Sequence, residues 1–360
     1  PYAAAAGALE LAQRAFWLWA NTTGGIGGYS VAIIDGKDTG YSPAKHLEGY
    51  NAIRDEVAAL AMSLGTVQTL FIMDEMDKDN MVAAPMSWYS GWGYKSFDRG
   101  LVAEFGSAYC VDGMNALDWG LENLPKEINT VGILAYAGEY GDDYAAGVRK
   151  AAIANGVTVA WSYVPPVAEF DVAAALGLML TQPVDAVFSG APLSAGPQII
   201  GGYDQQTGAL PFIFNAAPAY NDAFIAEGFP VRDLYLSGAV YNMAWVGPFE
   251  TDTPGHAAMR ATWGNFSDSA SSYVVAGWSS QYHIKGVLEA AAKGGDLTRA
   301  GIRRAASNVT VESDGMMTPR ELGIDGPDPE STITAPDASV GSGSATVKAN
   351  YAGPTASAYD

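Results

Sequence analysis

The sequence predicts an α/β protein with two doubly wound lobes, each built on a parallel sheet. Strand-like and helix-like segments alternate along most of the chain, which is typical of βαβ units whose helices cover both faces of a parallel sheet. The length of 360 residues corresponds to about two domains. Hydrophobic residues make up 49% of the chain. A chain of this composition can bury a large core, which excludes a globally disordered protein.

The first part of the chain opens with a helix. Leu9, Ala12, Phe16 and Trp19 recur at three- and four-residue spacing and form one helical face. The glycine-rich stretch 24–28 follows a helix and precedes a strand, so it predicts a turn and not a dinucleotide-binding loop. The elements predicted next are a strand at 29–34, a helix at 43–56, a strand at 57–63, a helix at 66–77 and a strand at 81–86.

The same alternation returns in the middle of the chain. It predicts strands at 130–136, 157–164, 184–188 and 211–214, and helices at 142–154, 170–180 and 195–203. Two further helices are predicted at 282–293 and 297–306. From about residue 326 the chain is rich in Pro, Asp, Ser, Thr and Gly, and this composition, with little periodicity, predicts an irregular tail that is extended or poorly ordered.

Charge and composition exclude several classes of protein. The 19 basic and 39 acidic residues give a net charge of −20, which would repel nucleic-acid phosphates. The single cysteine, Cys110, cannot form an intrachain disulfide, and its apolar neighbours predict a buried thiol. The three histidines are scattered, and the acidic residues at 74–79 lack the spacing of a calcium loop. We therefore expect no metal, no cofactor and no catalytic residue.

The candidate ligand-binding residues follow predicted strands. Ser63, Leu64, Gly65 and Thr66 join a strand to a helix, where free backbone N–H groups can bind a carboxylate or another polar group. Simple helix capping by Ser63 or Thr66 is the alternative. Trp88-Tyr89-Ser90 follows the next strand on a Gly/Ser-rich loop that is suited to ligand stacking, with a packed surface loop as the alternative.

A third junction contains Tyr140. Together these segments resemble the type I periplasmic solute-binding proteins of the branched-chain amino acid ABC transporter family, over roughly residues 1–310. Residues 20–28 are similar to that family's asparagine- and glycine-rich turn. Ser63-Leu64-Gly65-Thr66 is similar to its first ligand-binding turn, and Tyr140-Gly141 to its tyrosine–glycine stretch. Residues 1–7 resemble the loop after the family's first strand, so that strand is expected to be missing before Pro1.

The resemblance implies two lobes joined by a hinge, with a ligand bound in the cleft between them. The implied lobes are residues 1–111 with 241–315, and residues 112–240, followed by a final crossover and an irregular tail at 316–360. The implied ligand-binding residues are Ser63, Leu64, Gly65, Thr66, Trp88, Tyr89, Ser90, Asp112, Tyr140, Asn215 and Tyr241. The stretch 215–218 lacks the acidic residue with which amino-acid binders hold an ammonium group.

The implied function is the extracytoplasmic solute-binding component of an ABC importer. It would be a monomer without enzymatic activity, periplasmic or extracellular, with or without a lipid anchor, and its partner would be the membrane permease. The ligand would be an amino acid, an amide or a carboxylate. Two alternatives remain open: a cytoplasmic amide-sensing receptor of the same fold, and an α/β enzyme with a base or nucleophile in the cleft.

Overall fold

The computed structural model describes residues 3–267, 270–341 and 345–359. The chain forms two compact units. The N-terminal unit consists of residues 3–106 and 251–327, and the C-terminal unit consists of residues 107–250 and 328–359. The chain therefore passes from one unit to the other three times.

The first pass through the N-terminal unit alternates helices with two strands. Its elements are α1 (Ala3–Thr22), α2 (Pro43–Ile53), β1 (Leu60–Leu64), α3 (Thr66–Asp79), β2 (Ala83–Met86), a 3-10 turn (Ser90–Gly93) and α4 (Lys95–Asp98). β1 and β2 are parallel, with Leu64 beside Met86, so the loops that follow the two strands leave the same edge.

The C-terminal unit contains the longest alternating run. Its elements are α5 (Tyr109–Asn123), β3 (Thr130–Ala135), α6 (Glu139–Asn155), β4 (Thr158–Tyr163), α7 (Val172–Thr181), β5 (Ala186–Gly190), α8 (Gly196–Thr207), β6 (Phe212–Asn215), α9 (Arg232–Tyr235) and β7 (Val240–Ala244). Short 3-10 turns lie at Val167–Glu169, Ala217–Ala219 and Asp222–Ile225.

The chain then returns to each unit once. In the N-terminal unit it forms α10 (Pro254–Trp263), α11 (Ser272–Lys293), α12 (Arg299–Ala306), β8 (Val309–Val311) and β9 (Arg320–Leu322). In the C-terminal unit it forms β10 (Ser331–Pro336), β11 (Ala345–Tyr351) and α13 (Pro354–Ser357). α11 packs on α1 through aromatic rings, with Phe16 lying 5.2 Å from Trp278 and 4.9 Å from Tyr282.

The C-terminal unit is built on one sheet with the strand order β11-β10-β7-β6-β5-β3-β4. The strands β4, β3, β5, β6 and β7 are parallel, and β10 and β11 add an antiparallel edge. The chain leaves β3 towards β4 on one side and later returns to β5 on the other. The carboxyl ends of β3 and β5 are therefore the switch point at which ligands bind in open α/β sheets.

Most predicted elements are confirmed with ends that shift by a few residues, but α11 begins at Ser272, ten residues before the start predicted at 282. Cys110 is buried, as predicted. The strand predicted at 29–34 is wrong: apart from an isolated bridge between Ile26 and Tyr29, this segment has no strand partner. The side chain of Asn21 binds both the N–H and the carbonyl of Val31 at 2.8 Å, which satisfies the backbone there without a neighbouring strand.

Both ends of the chain also differ from the prediction. The tail is not irregular, because β10 pairs with β7 and with β11. This pairing joins residues far apart in sequence, which composition cannot reveal. Of the loop expected at 1–7, residues 1 and 2 lie outside the described residues and the remainder belongs to α1.

The unit boundaries lie at 106/107, 250/251 and 327/328, not at 111/112, 240/241 and 315/316 as expected from the sequence. Continuous elements explain the differences. A break at 111/112 would cut α5 and a break at 240/241 would cut β7, and both elements belong to the C-terminal unit. The third boundary follows the β8–β9 ladder of the N-terminal unit.

Close packing of α5 on α6 depends on Gly147. A Cβ atom at this position would overlap the backbone carbonyl of Cys110. We expect Gly147→Ala to lower the free energy of unfolding by about 1–3 kcal/mol, because overpacking forces the two helices apart. Chemical denaturation measures this. Gly177→Ala in α7 is the matched control, since its Cβ would meet open space and the change should stabilise by up to about 1 kcal/mol. Equal effects at both positions would contradict the packing argument.

Candidate functional site

The turn between β1 and α3 consists of one residue, Gly65. Its φ of 100° and ψ of 141° lie in a region that side chains rarely adopt. Gly65 is the N-cap of α3 and supplies no side-chain cap. The N–H groups of Thr66, Val67 and Gln68 therefore have no acceptor within the helix, and they point with the positive end of the helix dipole beyond the end of β1.

Two buried side chains add polar groups to this turn. Thr66 is 4% exposed, and its Oγ1 has no hydrogen-bond partner among the described residues. Gln68 donates from Nε2 to the carbonyl of Tyr41 at 2.8 Å, which leaves Oε1 without a partner in the described parts of the chain. The turn thus presents backbone donors, a hydroxyl and an amide oxygen.

Ser63 lies behind the turn. It is fully buried, and its Oγ lies 3.0 Å from Nε2 of His46 and 2.7 Å from Oγ1 of Thr69. The Ser63 hydroxyl therefore already has two protein partners. Leu64, the last residue of β1, is half-buried.

The second loop of the N-terminal unit follows β2. Trp88 is buried and its ring packs edge-on at 5.1 Å from Phe105. Tyr89 is half-buried, with its ring 5.7 Å from Trp92 and 5.7 Å from Phe97. Because β1 and β2 are parallel neighbours, this aromatic loop and the Gly65 turn lie at the same edge. Ser90 begins the 3-10 turn and is nearly buried.

In the C-terminal unit, Tyr140 lies at the switch point of the sheet. It is in the first turn of α6, just after β3, and it is buried. A Cβ on Gly190, the last residue of β5, would lie 3.3 Å from the Tyr140 hydroxyl oxygen. The ring of Tyr140 lies 4.7 Å from that of Tyr109 and 5.2 Å from that of Tyr136, so three tyrosines form an aromatic cluster.

Two paired asparagines lie on the next strands of the sheet. Asn215 at the end of β6 is opposite Asn242 of β7, and both are 2% exposed. Asn215 donates from Nδ2 to Oδ1 of Asn242 at 2.9 Å, while Nδ2 of Asn242 has no partner among the described residues. The buried polar pair here is therefore neutral.

Tyr241 does not belong to this group. It faces the opposite side of β7 from Asn242, and its ring stacks on Phe214 at 5.3 Å and lies 5.1 Å from Trp119 of α5. The ring is thus part of the packing between the sheet and α5. This position differs from the ligand-binding role expected from the sequence.

Asp112 is also internal. It is fully buried in the first turn of α5, and its Oδ1 accepts hydrogen bonds from Ser107 at 2.5 Å and Ser331 at 2.8 Å. Asn115 donates to Ser331 at 2.9 Å and to the carbonyl of Pro329 at 2.8 Å. The network ties the chain just after its first crossing to the chain just after its third, while Oδ2 of Asp112 has no hydrogen-bond partner among the described residues.

Sequence reasoning missed Tyr109, Tyr136 and Asn242. Tyr136 lies four residues before Tyr140 and directly after β3, and an aromatic residue at a strand end was the available signal. No local signal marks Tyr109, which α5 brings to Tyr140 only through tertiary packing.

Other kinds of site find little support. In the described parts of the chain, no group of three or more His, Cys, Asp or Glu residues could hold a metal ion. The acidic residues at 74–79 instead form ion pairs with Arg54, Lys78, Arg99 and Arg303.

Among the described helices, none combines the length and the apolar character needed to cross a membrane.

Comparison with known families defines the class. A family model for periplasmic binding proteins matches residues 1–334, so the chain belongs to the periplasmic binding protein family, as the sequence resemblance predicts. A search of curated protein sequences found no match.

Solved structures share the fold at low sequence identity. A fatty acid ABC transporter substrate-binding protein from Thermomonospora curvata is 22% identical, with a TM-score of 0.88 over 99% of this chain and 91% of that one. A branched-chain amino acid ABC transporter protein from Thermus thermophilus with bound valine is 14% identical, with a TM-score of 0.79 over 99% and 94%. An R. palustris solute-binding protein in complex with benzoate is 15% identical, with a TM-score of 0.75 over 98% and 94%.

The buried Asp112 predicts a pH dependence of stability. Burial raises its pKa to about 7, against the opposing effect of the Ser107 and Ser331 hydrogen bonds. The folded state then holds a proton that the unfolded state releases at a pH of about 4. The raised pKa of Asp112 therefore adds to the free energy of unfolding, in full below pH 4. This added stability is lost as the pH rises from about 4 through 7, at up to about 1.4 kcal/mol per pH unit.

Asp112→Asn removes the titrating group, and we expect it to flatten the fall in stability between pH 4 and pH 7. Denaturation at several pH values measures the slope. Asp98→Asn serves as a comparison, because burial also raises the pKa of Asp98 to about 7 and it lies in the other unit. An unchanged slope in Asp112→Asn would contradict the argument.

Proposed function

We propose that this protein is the extracytoplasmic solute-binding component of an ABC importer. Its ligand is a small molecule with a carboxylate or carboxamide group. One observation carries the proposal: α3 begins without a side-chain cap, directly after β1, beside the buried hydroxyl of Thr66, which has no partner among the described residues. Such a helix start binds an anionic or carbonyl oxygen.

The polar groups favour a ligand without an ammonium group. The Gly65 turn supplies donors, and the unpartnered amide oxygen of Gln68 can accept a hydrogen bond from a ligand. The buried polar residues Asn215, at the end of β6, and Asn242, opposite it in β7, bring no negative charge. An ammonium buried beside them would lack the acidic partner that offsets its desolvation.

Aromatic side chains bind the rest of the ligand. We assign this role to Trp88 and Tyr89 in the N-terminal unit, and to the cluster around Tyr140 in the C-terminal unit. Planar, largely apolar rings suit an aliphatic or aromatic ligand body. The proposed contact residues are Leu64, Gly65, Thr66, Trp88, Tyr89, Ser90, Tyr140 and Asn215. Ser63, Asp112 and Tyr241, whose side chains have internal roles, are left out.

Binding of this kind needs no covalent step, so the proposed activity is capture and delivery without turnover. The proposed location is the periplasm or the cell exterior, and the proposed partner of the ligand-bound monomer is a membrane permease. The net charge of −20 argues against a nucleic-acid partner.

A thermal-shift screen with matched ligand pairs tests the function. Benzoate with benzamide and octanoate with octanamide separate carboxylate from carboxamide on the same body, and L-isoleucine tests an α-amino acid. A ligand that binds only the folded state raises the melting temperature by mass action. We expect a shift from at least one acid or amide and a smaller one from isoleucine. The absence of any shift, or consumption of the ligand, would overturn the proposal.

Thr66→Val tests the turn directly, because valine keeps the shape of the side chain and removes its hydroxyl. We expect the affinity for the ligand identified in the screen to fall about tenfold, as for the loss of one buried hydrogen bond. Isothermal titration measures the affinity. The control, Thr181→Val, alters an exposed threonine at the end of α7 and should bind like the unmodified protein. Unchanged affinity in Thr66→Val would remove Thr66 from the site.

A further inference from the structure

A chain of hydrogen bonds runs beneath the Gly65 turn. Nε2 of His46 lies 3.0 Å from Oγ of Ser63, which lies 2.7 Å from Oγ1 of Thr69. Oγ1 of Thr69 lies 2.9 Å from the carbonyl oxygen of Gly65. His46 comes from α2, Ser63 from β1 and Thr69 from α3, so three elements meet at this turn.

The last hydrogen bond of this series, to a carbonyl oxygen, fixes which atom is the donor in each of the others. Oγ1 of Thr69 lies 2.9 Å from the carbonyl oxygen of Gly65 and 3.3 Å from that of Ser63, and a carbonyl oxygen can only accept, so the single hydroxyl proton of Thr69 goes to a carbonyl, of which Gly65 is the nearer. Thr69 must then accept the proton of Ser63, and Ser63 must accept a proton from Nε2 of His46. Burial lowers the pKa of His46, so its ring carries one proton at neutral pH. That proton therefore lies on Nε2.

We call this series of hydrogen bonds, from His46 through Ser63 and Thr69 to Gly65, the relay. It acts on the Gly65 turn through the peptide group that joins Gly65 to Thr66. The carbonyl of Gly65 and the N–H of Thr66 belong to the same peptide group, and in a trans peptide they point in opposite directions. The Gly65 carbonyl also accepts the N–H of Thr69 at 3.0 Å. The hydroxyl and the N–H of Thr69 thus both donate to this carbonyl, and the Thr66 N–H points in the opposite direction.

We propose that His46 is a positioning residue for the ligand-binding turn, acting as an Nε2–H donor through Ser63 and Thr69 on the Gly65 carbonyl. Its effect on affinity rests on the function proposed above. Its tautomer and its effect on the turn do not, because both are properties of the ligand-free protein.

The first test is spectroscopic. In the ¹⁵N-histidine-labelled full chain, long-range ¹H–¹⁵N correlation spectra at pH 7.5 distinguish the two neutral tautomers. With three histidines in the chain, loss of one signal set in His46→Gln assigns the residue. We expect His46 to be protonated on Nε2 and bare on Nδ1. A His46 protonated on Nδ1 alone would overturn the proposal.

The second test is amide hydrogen exchange without ligand. We expect His46→Phe, which keeps a ring but has no donor, to speed exchange at the Thr69 amide about tenfold, and His46→Gln to restore slow exchange through its own N–H. Thr69→Val breaks the other end of the relay while keeping the side-chain shape and should match His46→Phe. Lys45→Gln, at an exposed position on α2, is the control. Exchange that is the same in all variants would overturn the proposal.

The third measurement separates this inference from the proposed function. Benzoate and octanoate are titrated into each variant. If the unmodified protein binds one of them, His46→Phe should weaken binding about tenfold, and His46→Gln should restore it to within about threefold. If the unmodified protein binds neither of these acids nor their amides, benzamide and octanamide, the proposed ligand class fails, and the tautomer and exchange results still decide the role of His46.

Discussion

The single-residue connection between β1 and α3 is the constraint on which the candidate site depends. Gly65 turns the chain from strand to helix with a φ of 100°, which only glycine adopts readily. Because no further residue intervenes, the free N–H groups of the helix start directly at the edge of the strands. The buried hydroxyl of Thr66 and the aromatic loop after β2 then share that edge.

Buried polar groups hold the chain in place in both units, by different means. In the N-terminal unit, hydrogen bonds link His46, Ser63, Thr69 and the carbonyl of Gly65 beneath the Gly65 turn. In the C-terminal unit, the network of Asp112 with Ser107 and Ser331 contains an ionisable group and fixes two chain connections. These hydrogen bonds offset part of the cost of burying polar groups, although Oδ2 of Asp112 has no partner among the described residues.

The strongly acidic charge of the chain and the chemistry of the site are separate matters. Exposed or half-buried carboxylates such as Asp74 and Asp77 pair with arginine. The groups placed at the strand ends are instead backbone N–H groups, a hydroxyl, amides and tyrosine rings. Groups of this kind can bind a ligand by hydrogen bonds and ring contacts, which agrees with membership of the periplasmic binding protein family.

Local pattern was sufficient for much of the fold. Helical periodicity identified α1 and α3, alternation identified the parallel strands, and the strand–glycine–helix pattern marked the Gly65 turn. These features depend on residues adjacent in sequence, so a single sequence reveals them. The position of Tyr140 after β3 was equally readable, and its placement at the switch point follows from the strand order.

The sequence by itself therefore determined the class of fold, the position of the strand-to-helix turn at Gly65 and the buried state of Cys110. Tertiary structure alone decided that β10 and β11 complete the sheet, that residues 29–34 form no strand, and that Tyr109 joins the cluster around Tyr140. It also decided that Asp112 and Ser63 face inward. The reason is physical: strand partners and the burial of a polar side chain depend on residues distant in sequence, which local periodicity does not encode.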